Sequence, residues 1–389
     1  MSKTDDKDFG QSFAWDVDLL SGYPHRFLNL SGPWNLHAFN GIPLVKPMAT
    51  CLREAGATAL WTEGWRFKAQ WDAVAAARRM GIPVFLRGET SDKIPPKGGW
   101  RGLVRKIALR RLFGQVDYFL AIGQASRRFY LQTGVAPDKL FEAPYCVDNQ
   151  FFRAAVEKLR RGGTGDGRSE LAESRREVRQ AWQIPENSKV VMFCGKFVAK
   201  KRPLDLVLAA RAHFDRNNFA NCESESGPRH PWHLLFVGSG ELGGELRARC
   251  DVLFDAEAPN GKITKPRNFT APPASFVGFL NQSQIPRAYA VADVVVLPSE
   301  WWETWGLVIN EATAAGVPTV VSDQCGCSDD FVLRCPFTKV FPAGDIGVMA
   351  RSIEEALSRK ASPEEISACV EAFSPSITAR TVAHCLGAA

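Results

Sequence analysis

Short apolar runs alternate with amphipathic stretches along most of the chain. In the second half the runs fall at 190–193, 234–237, 275–277, 294–297 and 319–321. They are β-branched or aromatic and too continuous for strands with one wet face, as parallel strands covered on both sides are. Between them, 204–214, 242–253 and 307–315 carry helical spacing, and Gly316 and Pro318 end the last of these. Strand–helix alternation of this kind predicts a doubly wound α/β domain.

The first half repeats the theme, with candidate strands at 26–28, 58–61, 83–86 and 118–122 and candidate helices at 43–55, 67–80, 103–113 and 125–133. Residues 160–179 are Gly-rich, charged and without an apolar face, so they read as a surface connection. The polar stretches 221–231 and 256–273 read as inserted loops. The expected organisation is a Rossmann-like domain over 1–155, a linker region over 156–185 and a second Rossmann-like domain over 186–368. A last helix over 369–389 is expected to return to the first domain.

Composition narrows the function classes. The chain has 389 residues, and 48 Lys and Arg against 42 Asp and Glu give a net charge of +6. That charge is too small and too interspersed for a nucleic-acid binder, though it suits an anionic substrate. No apolar stretch reaches the ~18–20 residues that span a bilayer, and the acidic, polar start lacks a signal-peptide core. The ten cysteines form no CxxC pair, and neither a disulfide scaffold nor a metal site is expected. These features point to the cytoplasm.

Most of the chemical information lies in LPSEWWETWGLVINEATAAGVPTVVSDQCGCSDD, which begins at Leu297. A buried strand ends at Leu297, and a short loop leads through Glu303, Trp305 and Gly306 into a helix bearing Glu311. Open α/β sheets bind ligands outside the carboxyl ends of their strands. A helix start there offers unpaired amides and partial positive charge to a phosphate, and Gly306 lets a ligand approach the backbone. Glu303 and Glu311 would lie about 12 Å apart if the segment were helical throughout. That separation suits opposite ends of one extended ligand better than a shared metal or proton.

This segment resembles the signature of the large retaining glycosyltransferase family numbered four, which has the GT-B fold of two Rossmann-like domains. The matching residues are Pro298-Ser299, Glu303, Glu311 and Ala314-Ala315-Gly316-Val317-Pro318. The resemblance implies that Glu303 contacts hydroxyls of a donor sugar and Glu311 the ribose. Backbone near Trp305, Gly306 and Leu307 would then face the sugar and diphosphate. The run from Gly195 and Lys196 to Lys201-Arg202-Pro203 looks like the family's basic element, with Lys196 in place of Arg and Arg202 in place of Gly. By that likeness Lys196 and Lys201 neutralise the leaving diphosphate. The loop holding Gly278, Phe279 and Leu280 resembles the one whose backbone reads the nucleobase.

The chain departs from the pattern in two places. Residues 1–25 lack the apolar strand, Gly-rich loop and helix that open such first domains. The first sheet is therefore expected to be incomplete and open to self-association or a partner strand. Where many members carry a histidine near the transferred sugar, this chain has Arg87-Gly88-Glu89. Arg87 and Glu89 are therefore candidates for the sugar or acceptor side.

The resemblance implies a metal-independent, retaining transferase. It would move a sugar from a nucleotide diphosphate donor to a hydroxyl acceptor in polysaccharide or glycoconjugate synthesis, with no cofactor. Two rivals remain open at this point: a nucleotide-sugar-binding protein inactive without a partner, and another GT-B enzyme such as a sugar-nucleotide epimerase. One further stretch, 100–113, mixes Trp100, Leu103, Ile107 and Phe113 with five basic residues. It can lie on anionic lipid, at the inner face of a membrane. It can also set its apolar side on the sheet and its charges in water, and the sequence favours this second reading.

Overall fold

The computed structural model describes residues 4–6, 11–18, 20–28, 35, 37–95, 98–162, 173–220, 232–258, 261, 270–300 and 303–387. They fall into two compact units, one of 19–145 with 375–389 and the other of 1–18 with 146–374.

In chain order the strands are β1 (Thr4–Asp6), β2 (Gln11–Phe13), β3 (Leu60–Glu63), β4 (Val84–Arg87), β5 (Tyr118–Ala121) and β6 (Leu140–Glu142). There follow β7 (Lys189–Cys194), β8 (Trp232–Val237), β9 (Asp251–Asp255), β10 (Pro273–Phe276), β11 (Val294–Leu297), β12 (Thr319–Ser322) and β13 (Thr338–Phe341).

The larger unit holds a seven-stranded sheet in the order β13-β12-β11-β7-β8-β10-β9, every pair parallel. From β7 the chain builds outward through β8 to β9 at the edge, and β10 then fits between those two. It then returns to the other side of β7 with β11 and continues to β12 and β13. The order therefore reverses between β7 and β11, and such a reversal opens a crevice at the carboxyl ends of the two strands. Both faces are covered, so β8, β10, β11 and β12 are buried along their whole length, as their unbroken apolar sequence predicts. Phe193, Phe197, Phe236 and Phe276 form the centre of this core, and Phe236 stacks on Phe276 with ring centroids 4.8 Å apart.

The smaller unit carries the parallel sheet β3-β4-β5-β6. Its core gathers Val84, Leu86, Phe113, Phe119 and Tyr130. The last helix, Pro375–Cys385, belongs to this unit. Its Val382 and Cys385 lie against Phe85 and Leu120, and Thr381 Oγ1 donates to the Glu142 carbonyl at 2.8 Å.

Several elements differ from expectation. Residues 26–28 are irregular, and among the described residues they pair with no strand. The stretch 242–253 divides into the helix Gly243–Ala248 and strand β9. There Asp251 caps the turn before β10 by accepting from the amides of Thr270 and Ala271 at 2.7 and 2.8 Å. The helix Asn149–Arg161 and the helix Arg175–Ala181 occupy much of the expected linker. Residues 163–172 between them lie outside the described residues, as do the expected loop 221–231 and most of 256–273.

The start of the chain joins the larger unit and not the first domain. Asn281 Nδ2 donates to the Ala14 carbonyl at 2.6 Å, and the Ser283 amide donates to the Asp16 carboxylate. The helix Gly99–Phe113 departs from the preferred reading too. It buries only Leu109, Leu112 and Phe113 and leaves Trp100, Leu103, Val104 and Ile107 exposed.

Candidate functional site

The loops that follow β7 and β11 flank the reversal point. After β7 come Gly195 and Lys196, then the 3-10 turn Ala199–Lys201 and the helix Pro203–Ala220. After β11 the chain runs to the helix Leu307–Ala314, whose N-cap is Gly306. The two loops are joined directly. The Glu300 amide donates to the Lys200 carbonyl at 2.9 Å, and Lys201 Nζ forms an ion pair with Glu303 Oε2. Both side chains are largely buried, at 21% and 15% exposed. An ion pair at that depth is screened far less than one on the surface.

Gly306 has φ +107, and a Cβ there would sit 2.6 Å from Leu297 Cδ2. Only glycine fits this position. The helix starting there leaves its leading amides, at Leu307 and Val308, without intrahelical acceptors, while the Ile309 amide donates to the Gly306 carbonyl at 3.0 Å. Residues 303–306 are not helical, so the uniform helix assumed for the Glu303–Glu311 spacing is absent. The Trp305 indole is buried and donates to Asn310 Oδ1 at 2.7 Å. Its edge meets Phe373 at 5.8 Å between centroids. The Trp305 side chain therefore anchors the loop.

Glu311 projects from the second turn of this helix, and its Oε2 accepts a 2.6 Å hydrogen bond from the Tyr289 hydroxyl. Burial pushes the Glu311 carboxyl up to about 7, while the Tyr289 bond acts in the opposite direction. Burial, with the Glu311 charge beside it, also holds the Tyr289 hydroxyl well above its ordinary value. The Cys194 thiol at the end of β7 meets the same hydroxyl and is itself raised by burial. Glu303 and Glu311 thus serve one loop and helix with separate partners.

The remaining predicted donor residues lie on adjoining loops. Gly195 donates its amide to the Val237 carbonyl at 2.9 Å, and Phe197 donates to the Ser239 carbonyl at 2.8 Å. Gly238 donates to the Gly278 carbonyl at 2.8 Å, which aligns the loop carrying the half-buried Phe279 and Leu280. A Cβ on Gly238 would lie 2.1 Å from the Gly195 carbonyl oxygen, so this close approach of two loops requires glycine.

Arg202 has φ +49, a left-handed conformation that non-glycine residues seldom adopt. This explains why the related pattern has Gly there. Here the guanidinium bonds Asp205 Oδ2 at 2.6 Å and Glu300 Oε1 at 2.7 Å, which offsets the ~1 kcal/mol strain of that conformation.

Arg87 and Glu89 belong to the smaller unit, at the carboxyl end of β4. The Arg87 guanidinium lies over the Tyr145 ring, 4.5 Å from its centroid, and Nη1 is 3.9 Å from Glu63 Oε1. The Tyr145 hydroxyl donates to Glu89 Oε1, and burial and that carboxylate raise it above its ordinary value. Sequence reasoning missed Tyr145 and Glu63 here, and Tyr289 and Cys194 in the larger unit. Among the described residues, no group of three or more His, Cys, Asp or Glu could hold a metal ion.

Two Rossmann-like units with these topologies define the GT-B fold class. Residues 271–369, which lie in the larger unit, match the family described as glycosyl transferases group 1. An uncharacterized glycosyltransferase of Methanocaldococcus jannaschii is 28% identical over 40% of this chain and 32% of its own length. A D-inositol 3-phosphate glycosyltransferase of Corynebacterium glutamicum is 32% identical over 38% of this chain and 29% of its own. The matched segment spans about a third of these curated relatives. The crystal structure of Anabaena HepE in complex with UDP has a TM-score of 0.56 at 17% identity, covering 88% of this chain and 82% of that one. That likeness extends the fold assignment to both units.

Proposed function

We propose that the chain is a retaining glycosyltransferase that takes its sugar from a nucleotide diphosphate donor held by the larger unit. One observation carries this reading: the Lys201–Glu303 ion pair spans the loops on either side of the sheet's reversal point, beside the helix start at Gly306. A diphosphate entering there meets Lys196, Lys201 and the first-turn amides of the helix. Glu303, released from Lys201, accepts hydrogen bonds from sugar hydroxyls, and Glu311 accepts them from the ribose. Gly195, Phe279, Leu280, Trp305, Gly306 and Leu307 complete the donor pocket, largely through their backbone.

In the transfer step the acceptor oxygen bonds to the anomeric carbon as the bond from that carbon to the β-phosphate oxygen breaks. The acceptor proton passes to the departing phosphate, so no separate base is needed. Two ammonium groups and a helix N-terminus supply the electrostatic stabilisation that a divalent cation gives elsewhere, and the reaction is metal-independent. The Arg87, Glu89, Tyr145 and Glu63 cluster forms the acceptor side. The relatives' printed activities support glycosyl transfer; polysaccharide or glycoconjugate synthesis in the cytoplasm is the setting that this reading proposes.

The test is release of nucleoside diphosphate from UDP-, GDP- and ADP-sugars, with and without EDTA. One donor should be turned over at equal rates in both conditions. Loss of turnover on chelation, restored by magnesium or manganese, contradicts metal independence.

A further inference from the structure

The helix Gly99–Phe113 has two opposite apolar faces, only one of which is used. At ~100° per residue, Leu109, Leu112 and Phe113 share one side, and these three are the buried ones. Trp100, Leu103, Val104 and Ile107 fall within a roughly 100° arc on the other side. They are 72%, 61%, 56% and 46% exposed. Four large apolar side chains gathered along about two turns of helix are unlike the scattered single residues of an ordinary surface.

The charge around this stripe has one sign. Arg101, Arg105, Lys106, Arg110 and Arg111 are all exposed, and the helix contains no Asp or Glu. Its charge is +5 in a chain whose net charge is +6. Among the described residues none of the five is ion-paired with a carboxylate. A buried protein partner is poorly matched by an apolar stripe hemmed with unpaired cations. An interface of anionic headgroups over acyl chains matches both features, with Trp100 at the helix start at headgroup depth. Among the described residues no helix is long and apolar enough to cross a membrane.

We infer that the exposed apolar stripe Trp100–Leu103–Val104–Ile107, with its basic flanks, docks the protein onto an anionic lipid surface. Apolar insertion and phosphate attraction act together, so both are required and high salt weakens the contact.

The test uses the full chain with vesicles of phosphatidylcholine alone and of phosphatidylcholine mixed with phosphatidylglycerol. The protein should sediment with the mixed vesicles only, with a blue shift in tryptophan emission, and should be released by high salt. Leu103→Asp/Ile107→Asp and, separately, Lys106→Glu/Arg110→Glu should each lower partition about tenfold or more. Both variants should keep the far-ultraviolet circular dichroism and thermal midpoint of the parent, since these side chains are exposed. Free phosphatidylglycerol headgroup in solution should not compete at concentrations matching the lipid.

Three results overturn the inference. One is no partition onto the mixed vesicles. Another is equal partition of parent and both variants. The third is a parent dimer that Leu103→Asp/Ile107→Asp converts to monomer without any lipid binding, which would assign the stripe to a second copy of the chain. Nucleotide binding is measured in parallel, and its presence or absence leaves the lipid result to stand alone.

Discussion

The Tyr289 hydroxyl donates to Glu311 Oε2 at 2.6 Å, from a side chain with no exposed surface. This bond favours the ionised carboxyl against the burial that disfavours it. Tyr289 is therefore a positioning residue for Glu311. Tyr289→Phe should push the Glu311 carboxyl above 7 and weaken nucleoside diphosphate binding about tenfold at neutral pH, a typical loss for a hydrogen bond to a charged group. The deficit should shrink at pH 9, where the carboxylate is restored. A deficit constant from pH 6 to 9 in calorimetric titrations would show that the hydroxyl only fills space.

The same carboxyl sets a pH dependence of stability. Its folded value of about 7 lies above the ordinary 4.5, so between these limits the folded chain binds more protons than the unfolded one. Stability from this group is present in full below pH 4.5 and is lost as pH rises through 7. Glu311→Gln removes the loss. Without nucleotide, its thermal midpoint should match the parent at pH 4.5 and exceed it at pH 8. Parallel midpoint curves would contradict the assignment.

Lys201 is tied to Glu303, and its partner's side chain is only 15% exposed. Lys201→Ala leaves that carboxylate without its cation and removes a charge from the diphosphate. Affinity for nucleoside diphosphate should fall at least tenfold, while affinity for the free nucleoside stays within about twofold. Equal losses for both ligands would place Lys201 away from the phosphates.

Arg202 poses a local balance. Arg202→Gly relieves the left-handed backbone but loses bonds to Asp205 and Glu300, each partly exposed and worth about 0–1 kcal/mol. Arg202→Ala loses the bonds and keeps the strain. Chemical denaturation should find the glycine variant more stable than the alanine variant by about 1 kcal/mol. The reverse order would show that φ +49 is not what the position selects for.

Much of the larger unit was legible in the sequence because its strands are buried on both faces and therefore read as unbroken apolar runs. The segment from Leu297 to Gly316 was legible for a related reason: a buried strand, a glycine and a helix follow one another with little intervening chain. Strand β9 was not, because Val252, Leu253 and Phe254 continue the apolar spacing of the preceding helix. Tyr289 left no signal, since it meets Glu311 across twenty-two residues and only through packing. The helix at 99–113 misled because a sequence shows two apolar faces as readily as one, and only the fold reveals which is covered.

The central claim is that a nucleoside diphosphate binds where the β7 and β11 loops meet. Its most direct test is isothermal titration of UDP, GDP and ADP into the parent and into Lys196→Ala/Lys201→Ala. One diphosphate should bind the parent, more tightly than its monophosphate, and the double variant should lose about 100-fold in affinity with its far-ultraviolet circular dichroism preserved. Failure of all three to bind the folded parent, or equal affinity in the double variant, would contradict the account.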